Sequence, residues 1–159
     1  MTTVVSDIRT VPVGEDLSKS DIRFQVVRGF EQMKRADVPV LNNSVALTTG
    51  EWAVLDTATG KAKRPSTSPV GHSYPVFSGT DRFDARATGA VTLIMNSLIV
   101  VKSDKYDLTA APYTVGDYLT VKSLGGGEAQ VTKQSGTEPK LARVLEVGTG
   151  YLVYETLPA

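Results

Sequence analysis

The chain contains one histidine, His72, and no cysteine, so two residue types that often act as bases or nucleophiles are scarce or missing. His72 lies in a segment rich in proline, glycine and serine, which is typical of a surface loop. A serine–histidine–aspartate triad is defined in space, so a single histidine could serve one. The chain has no Gly-x-Ser-x-Gly elbow, however, and a cysteine nucleophile is excluded. We interpret His72 as an exposed polar residue and predict no catalytic residue.

Two pairs of aspartates have a spacing at which carboxylates could share a metal ion. Asp81 and Asp84 form one pair, and Asp104 and Asp107 form the other. Neither pair continues into a calcium loop, and each has a basic neighbour that offsets the charge a cation requires. A zinc site would also lack its usual histidine and cysteine ligands. We interpret these aspartates as turn-forming residues and predict no metal and no cofactor.

Two glycine-containing segments invite comparison with phosphate-binding loops. The glycine triplet at residues 125–127 is not followed by Lys-Ser or Lys-Thr, and Ala62 follows Thr59-Gly60-Lys61 where a hydroxyl residue would bind magnesium. A carboxylate pair for glycoside hydrolysis depends on a distance in space and stays open at this stage. Aromatic residues make up only 7% of the chain, which gives little support to a stacking platform for sugars or bases. The sequence therefore favours a protein that is not an enzyme.

The charges of the chain cancel, with 17 basic and 17 acidic residues. A protein that grips nucleic-acid phosphates usually has a basic excess, so no direct nucleic-acid binding is predicted. The longest apolar stretch, residues 90–101, is interrupted by polar residues and is shorter than the roughly 20 residues that span a bilayer. The first residues lack the pattern of a secretory signal. We expect a soluble protein, made in the cytoplasm, with no membrane partner.

Short runs of valine, threonine, tyrosine and leucine, punctuated by glycine, dominate the chain and are most regular over residues 115–156. Such runs predict an all-β barrel or sandwich of about eight to ten short antiparallel strands. The most apolar runs, residues 90–95 and 98–102, are separated by Asn96-Ser97, which predicts a tight hairpin at the centre of the core. The sequence predicts at most one short helix. It also predicts an extended N-terminal arm and connecting segment over residues 1–40, followed by a β-domain over residues 41–159.

Two regions before the apolar centre are less regular. Over residues 20–37 a strand pattern competes with a helical one, and we favour a strand through Val27 followed by an irregular or single-turn helical segment. Residues 45–56 predict a hairpin through Thr49-Gly50, and residues 56–60 predict the turn that follows. Trp52 and Val54 alternate with Ala53 and Leu55, which indicates a strand buried on both faces with Trp52 as a core anchor.

Two groups of residues are candidate partner contacts. The first is a set of β-branched residues near the N-terminus that a purely solvated tail would not require; the alternative is a frayed terminus. The second is a basic cluster beside a turn-rich loop; the alternative is a solvated strand end that blocks unwanted edge pairing. The candidate residues are Val4, Val5, Ile8, Val11, Val13, Lys61, Lys63 and Arg64.

The same organisation resembles the small structural proteins of tailed-bacteriophage heads, in particular capsid decoration (cement) proteins. The resemblance rests on an irregular N-terminal segment of about forty residues and on several glycine-punctuated motifs. These motifs are Leu-Thr-Thr-Gly-Glu-Trp-Ala-Val-Leu-Asp at 47–56, Gly-Asp-Tyr-Leu-Thr-Val at 116–121, the glycine triplet, Leu-Ala-Arg-Val-Leu-Glu-Val at 141–147 and Gly-Tyr-Leu-Val-Tyr at 150–154.

The resemblance implies a virion structural protein on the capsid surface, synthesised in the host cytoplasm. Such a protein binds the outer face of the shell, bridges neighbouring major capsid subunits and stabilises the shell, often as a homo-oligomer, either trimer or dimer. Another phage structural role stays open, such as a tail-tube, tail-terminator or fibre-associated module. A carbohydrate-binding or hydrolytic β-domain is the alternative from another class.

Overall fold

The computed structural model describes residues 24–41, 47–66, 70, 72–80, 89–95, 97–123 and 127–157. These residues form two antiparallel β-sheets and two three-residue 3-10 helices, with no longer helix among them. One of the sheets curls into a half-barrel. The predicted all-β class with short antiparallel strands is confirmed, and the described residues hold eleven strands.

The elements are short, and most are bounded by glycine or polar turns. In chain order they are β1 (Gln25–Arg28), η1 (Phe30–Gln32), β2 (Lys34–Pro39), β3 (Trp52–Leu55), β4 (Ala62–Lys63), β5 (Tyr74–Ser78), β6 (Ala90–Met95), β7 (Val100–Ser103), η2 (Leu108–Ala110), β8 (Tyr118–Lys122), β9 (Gln130–Lys133), β10 (Ala142–Gly148) and β11 (Tyr151–Thr156). One sheet has six strands in the order β1-β7-β11-β10-β8-β9, and the other has five in the order β2-β6-β5-β3-β4.

β6 and β7 carry the most apolar sequence, but the predicted hairpin between them is wrong because they belong to different sheets. β6 pairs with β2 along one edge and with β5 along the other, which leaves no edge for β7. Between the two strands, the Ser97 hydroxyl donates to the Met95 carbonyl at 2.6 Å and accepts the Lys34 N–H at 2.7 Å. The chain crosses here from one sheet to the other. Both runs still supply core side chains, as predicted: Val91, Leu93, Ile94, Ile99 and Val101 are buried.

The segment before residue 40 contributes to both sheets. β1 pairs with β7 in the six-stranded sheet, and β2 pairs with β6 in the five-stranded sheet. Residues 25–28 and 34–39, which the predicted division assigns to the N-terminal arm and connecting segment, therefore form strands of the two sheets. Gly29 joins β1 to η1 at a φ of 86°, and a Cβ there would lie 2.8 Å from the Leu98 carbonyl oxygen. Glycine is needed at this connection because other residues rarely adopt that φ and none would fit without displacing the 98–99 backbone.

β3 faces two hydrophobic clusters at once, as its alternating sequence predicts. Trp52 is buried in a cluster with residues of the six-stranded sheet, such as Leu152 and Tyr154. Ala53 is buried on the opposite face with Val76 and Leu93 of the five-stranded sheet. The interpretation of Trp52 as a core anchor is confirmed by its exposed fraction of 3%. Successive side chains of a strand point to opposite faces, so this four-residue strand links both clusters.

The C-terminal region forms two hairpins, β8 with β9 and β10 with β11. β11 has a strict alternation in which Leu152, Tyr154 and Thr156 are buried. The strand order departs from a simple meander, because β10 pairs with the edge of β8 rather than with β9. The predicted hairpin over residues 45–56 is replaced by pairing of β3 with β4, through the predicted turn at 56–60, and with β5.

Candidate interaction surface

The described side chains that could act in catalysis or bind a metal ion do not lie together in one site. His72 is exposed, and its ring contacts that of Tyr74 edge-on at a centroid distance of 4.7 Å. Among the described residues, no group of three or more histidine, cysteine, aspartate or glutamate side chains could hold a metal ion. A hollow lined by Trp52 and Ser73, among other described residues, has a volume of about 20 Å³, which is room for one water molecule and not for a substrate.

Asp107 has the turn-forming role that its sequence context predicts. Its side chain accepts the Thr109 N–H at 3.0 Å and so caps η2. It also accepts the hydroxyls of Thr109 at 2.6 Å and Thr132 at 2.8 Å. Burial opposes its ionisation, but these hydrogen bonds and the charge of Lys122 outweigh burial and hold its pKa below the usual value. Asp104 is exposed, and Asp81 and Asp84 lie outside the described residues.

A cluster of polar side chains, here called the inter-sheet cluster, joins the two sheets. Its members are Thr48, Glu51 and Arg64 beside β3 and β4, and Lys105 and Glu128 beside β7 and β9. The Glu51 carboxylate is fully buried and accepts Arg64 Nε at 2.8 Å and Nη2 at 2.9 Å. This bidentate hydrogen bonding raises the pKa of Arg64. The cluster therefore contains a complete buried ion pair.

The other half of the cluster reaches across to the six-stranded sheet. Lys105 Nζ donates to Glu128 Oε2 at 2.9 Å and to the Thr48 hydroxyl at 2.6 Å, and the Thr48 hydroxyl also contacts the Glu128 carboxylate. Burial disfavours the charged form of Glu128, but hydrogen bonds from Thr48 and Lys105 outweigh it and lower its pKa. Each charge in the cluster faces a complementary partner, so the cluster stabilises the packing of the sheets.

The structure separates the predicted partner-contact residues. Lys61 is exposed, whereas Lys63 Nζ pairs with Asp56 at 3.2 Å and Arg64 is bound to Glu51 in the inter-sheet cluster. Of the predicted basic cluster, Lys61 is thus the residue left without an ion pair to a described residue. The apolar candidates Val4, Val5, Ile8, Val11 and Val13 lie outside the described residues.

Exposed apolar and basic side chains surround η1, where the chain passes from β1 to β2. We call this the η1 surface and define it as Val27, Arg28, Phe30, Arg35 and Leu98. Val27, Phe30 and Leu98 are among the exposed large hydrophobic residues, each with at least half of its surface accessible. Arg28 and Arg35 are exposed, and neither forms an ion pair with another described residue. Grouped exposed apolar side chains of this kind are typical of contact surfaces.

Two shallow hollows lie along β1, on the β7 side of the η1 surface. One has a volume of about 370 Å³ and is lined by Arg28, Leu98 and Ile99 among others. The other has a volume of about 390 Å³ and is lined by Val27, Val153 and Tyr151 among others. Arg28 and Val100 line both, so the hollows are adjacent. Both are open, and their linings mix apolar and charged side chains, with Glu31 and Glu155 in the first and Lys102 and Glu146 in the second.

The sequence interpretation missed the η1 surface. The sequence did contain a sign of this surface. Residues 27–35 include three basic residues, one acid and the aromatic Phe30: Arg28, Lys34, Arg35 and Glu31 are the charged ones. What the pattern does not reveal is that Val27 lies at an irregularity of the β1–β7 pairing and so projects outward. Its neighbour Val26 packs against the core instead.

No helix in the described part of the chain is long and apolar enough to cross a membrane. Comparison with protein-family models, with curated proteins and with solved structures finds no match to this chain.

Proposed function

We propose that this protein is a non-enzymatic virion structural protein that binds the outer surface of a phage capsid and links neighbouring major capsid subunits. The observation that carries the proposal is the η1 surface, where exposed apolar side chains occur together with two arginines that form no ion pair with a described residue. Protein contact surfaces combine apolar anchors with arginine in this way. The charged side chains of the inter-sheet cluster bind one another and stabilise the packing of the sheets. This structural use of the charges supports the proposal.

The proposed contact also includes the N-terminal residues, because the sequence joins them directly to the η1 surface. Residues 1–23 lead directly into Phe24 and β1, whose residues Val27 and Arg28 belong to the η1 surface. We propose that Val4, Val5, Ile8, Val11 and Val13 add contact area next to that surface on the capsid. A segment that becomes ordered on binding can cover a large area, at a cost in conformational entropy. Self-association as a trimer or dimer is part of the same proposal.

Pelleting of the full-length protein with undecorated capsids of the phage that encodes it tests the proposal. We expect saturable binding, reduced at least about tenfold by Leu98→Asp, since a central apolar anchor contributes about 2 kcal/mol or more. Leu108→Asp is the matched control, because Leu108 is 70% exposed and Leu98 is 58% exposed, but Leu108 lies on η2. Absence of wild-type binding would refute the proposed function. Equal loss in both variants would refute the assignment to the η1 surface.

Deletion of residues 1–20 tests the contribution of the N-terminal segment separately. We expect weaker capsid binding with an unchanged far-ultraviolet circular dichroism spectrum, because the described strands begin at Gln25. Unchanged affinity would remove the segment from the mechanism. Rings or stacked tubes formed by the purified protein alone would favour a tail role instead.

A further inference from the structure

Arg35 is the best-restrained of the charges of the η1 surface that form no ion pair with a described residue. Its Cζ atom lies 5.6 Å from the ring centroid of Phe30 and 5.7 Å from that of Phe77. The two ring centroids are 6.1 Å apart, and the rings are inclined at 51°. The guanidinium therefore rests over the faces of both rings, at the third corner of a nearly equilateral triangle. Cation–π attraction to two rings restricts a side chain that is otherwise among the most flexible.

The two rings restrain the guanidinium without using its hydrogen-bond donors. A guanidinium presents five N–H groups in a planar fork that matches a carboxylate or a phosphate. In the described part of the chain, no carboxylate lies within ion-pair distance of Arg35. Arg64 provides the internal contrast, because its fork is filled by Glu51. Arg35 thus presents a planar fork to which no described carboxylate is bound, and this fork could bind an anion through two hydrogen bonds.

The surroundings of Arg35 favour a carboxylate on a protein over a nucleic-acid phosphate. Nucleic-acid surfaces carry tracks of cations along a backbone, whereas residues 27–35 mix three cations with Glu31, and the whole chain has no net charge. Val27, Phe30 and Leu98 are exposed beside the cations. Apolar anchors next to a small number of arginines match the composition of protein–protein interfaces.

We propose that Arg35, held by Phe30 and Phe77, binds a carboxylate side chain in an acidic segment of a partner protein. A neighbouring apolar side chain of that segment contacts the exposed Phe30 and Leu98. The inference deepens the proposed function, on which it rests, and the partner is then the major capsid protein. A carboxylate enclosed between a restrained arginine and apolar side chains is a contact that dominates binding energy.

The capsid pelleting assay, repeated with charge variants, tests this inference. Arg35→Gln should weaken binding by at least about tenfold, as expected for loss of one partner of a desolvated, hydrogen-bonded charge pair. Arg35→Lys should restore only part of the loss, because lysine keeps the charge and lacks the planar fork. Lys140→Gln is the matched control, since Lys140 is an exposed cation 4.4 Å from the Tyr118 ring. Equal binding by wild type and Arg35→Gln would overturn the inference while leaving capsid binding intact.

A second measurement keeps the inference testable if the protein does not bind capsids at all. Nuclear magnetic resonance follows the Arg35 Nε–H and the Phe30 ring while a synthetic Glu-Asp-Leu-Glu-Asp peptide is added. Saturable shifts with this peptide, and none with Gln-Asn-Leu-Gln-Asn, support the inference. No shift with either peptide overturns it. A short DNA duplex that binds wild type and loses binding in Arg35→Gln would also overturn it, by assigning the site to phosphate.

Discussion

The inter-sheet cluster and the η1 surface contain the same kinds of side chain, but use them differently. In the cluster, Arg64 lies in the interior with both arms of its guanidinium on the Glu51 carboxylate. At the η1 surface, Arg35 is exposed, rests on two phenylalanine rings and meets no carboxylate of the described residues. The difference teaches that the same side chain serves the fold where its counter-charge lies within reach, and points to an external contact where no described carboxylate meets it. Arg64 stabilises the packing of the sheets, and Arg35 is the residue for which we propose a contact with another molecule.

The largest expected effect is on stability, from removing the carboxylate of the inter-sheet cluster. Glu51→Ala removes the fully buried carboxylate that binds the Arg64 guanidinium, and we expect a loss of about 3–5 kcal/mol in the free energy of unfolding. Urea denaturation measures this loss. Arg143→Ala is the control, because Arg143 pairs with Glu155 at 2.7 Å but is 44% exposed, and we expect about 1 kcal/mol or less. Similar losses in the two variants would remove the distinction between buried and surface pairs.

A smaller loss is expected from crowding the backbone that carries Thr48. A Cβ on Gly79 would lie 2.1 Å from the Leu47 carbonyl oxygen, so Gly79→Ala must displace the turn at residues 47–49. We expect a loss of about 1–3 kcal/mol, the usual range for overpacking, again by urea denaturation. Gly60→Asn is the control, since no atom lies within 4 Å of a Cβ there and asparagine tolerates its φ of 74°. A neutral Gly79→Ala would show that this turn adapts and does not hold the cluster in place.

The next expected effect is a loss of folding stability that occurs only in alkaline solution. Burial, followed by the charge of Asp107, raises the pKa of Tyr113 from 10.0 to about 12. The folded state therefore retains the phenolic proton more strongly than the unfolded state. Its contribution to stability is complete below pH 10 and is lost as the pH rises toward 12.

Urea denaturation at several pH values checks this prediction. Tyr113→Phe should make stability fall less steeply between pH 10 and 12 than in wild type. Part of the slope will remain, because complete burial also raises the pKa of Tyr154. An unchanged slope in Tyr113→Phe would contradict the prediction.

The smallest expected effect is on stability at the η1 surface itself. Arg35→Gln should lower the free energy of unfolding by no more than about 1 kcal/mol, because the exposed side chain makes no ion pair with a described residue and its cation–π contacts are the main loss. Thermal unfolding followed by circular dichroism measures the change. A loss above 1.5 kcal/mol would mean that the Arg35 stack stabilises the fold much as Arg64 does, and the comparison of the two regions would fail.

Local sequence patterns predict the strands well where the pattern is complete within one strand. The alternation of β11 and the two-sided burial of β3 follow from the spacing of side chains along an extended chain. The assignment of strands to sheets does not follow, because it depends on distant partners. Asn96-Ser97 has the composition of a hairpin turn, yet β2 and β5 occupy both edges of β6 and the chain continues into the other sheet.

The candidate surface was harder to predict for a related reason. In the sequence, Arg64 and Arg35 each follow a lysine and look equally available. The acid that binds Arg64 lies 13 residues away along the chain, so only the fold shows that the charge is already neutralised. The stack of Arg35 on Phe77 likewise joins β2 to β5, which are not adjacent in the sheet.

The connection from β1 through Gly29 and η1 to β2 has a mechanical consequence. β1 is fixed to the six-stranded sheet by its pairing with β7, and β2 is fixed to the five-stranded sheet by its pairing with β6. A tensile force applied to Phe30 or Arg35 therefore reaches both sheets at once, and neither ladder alone carries the load. A pulling force at this junction would be shared between the β1–β7 and β2–β6 ladders.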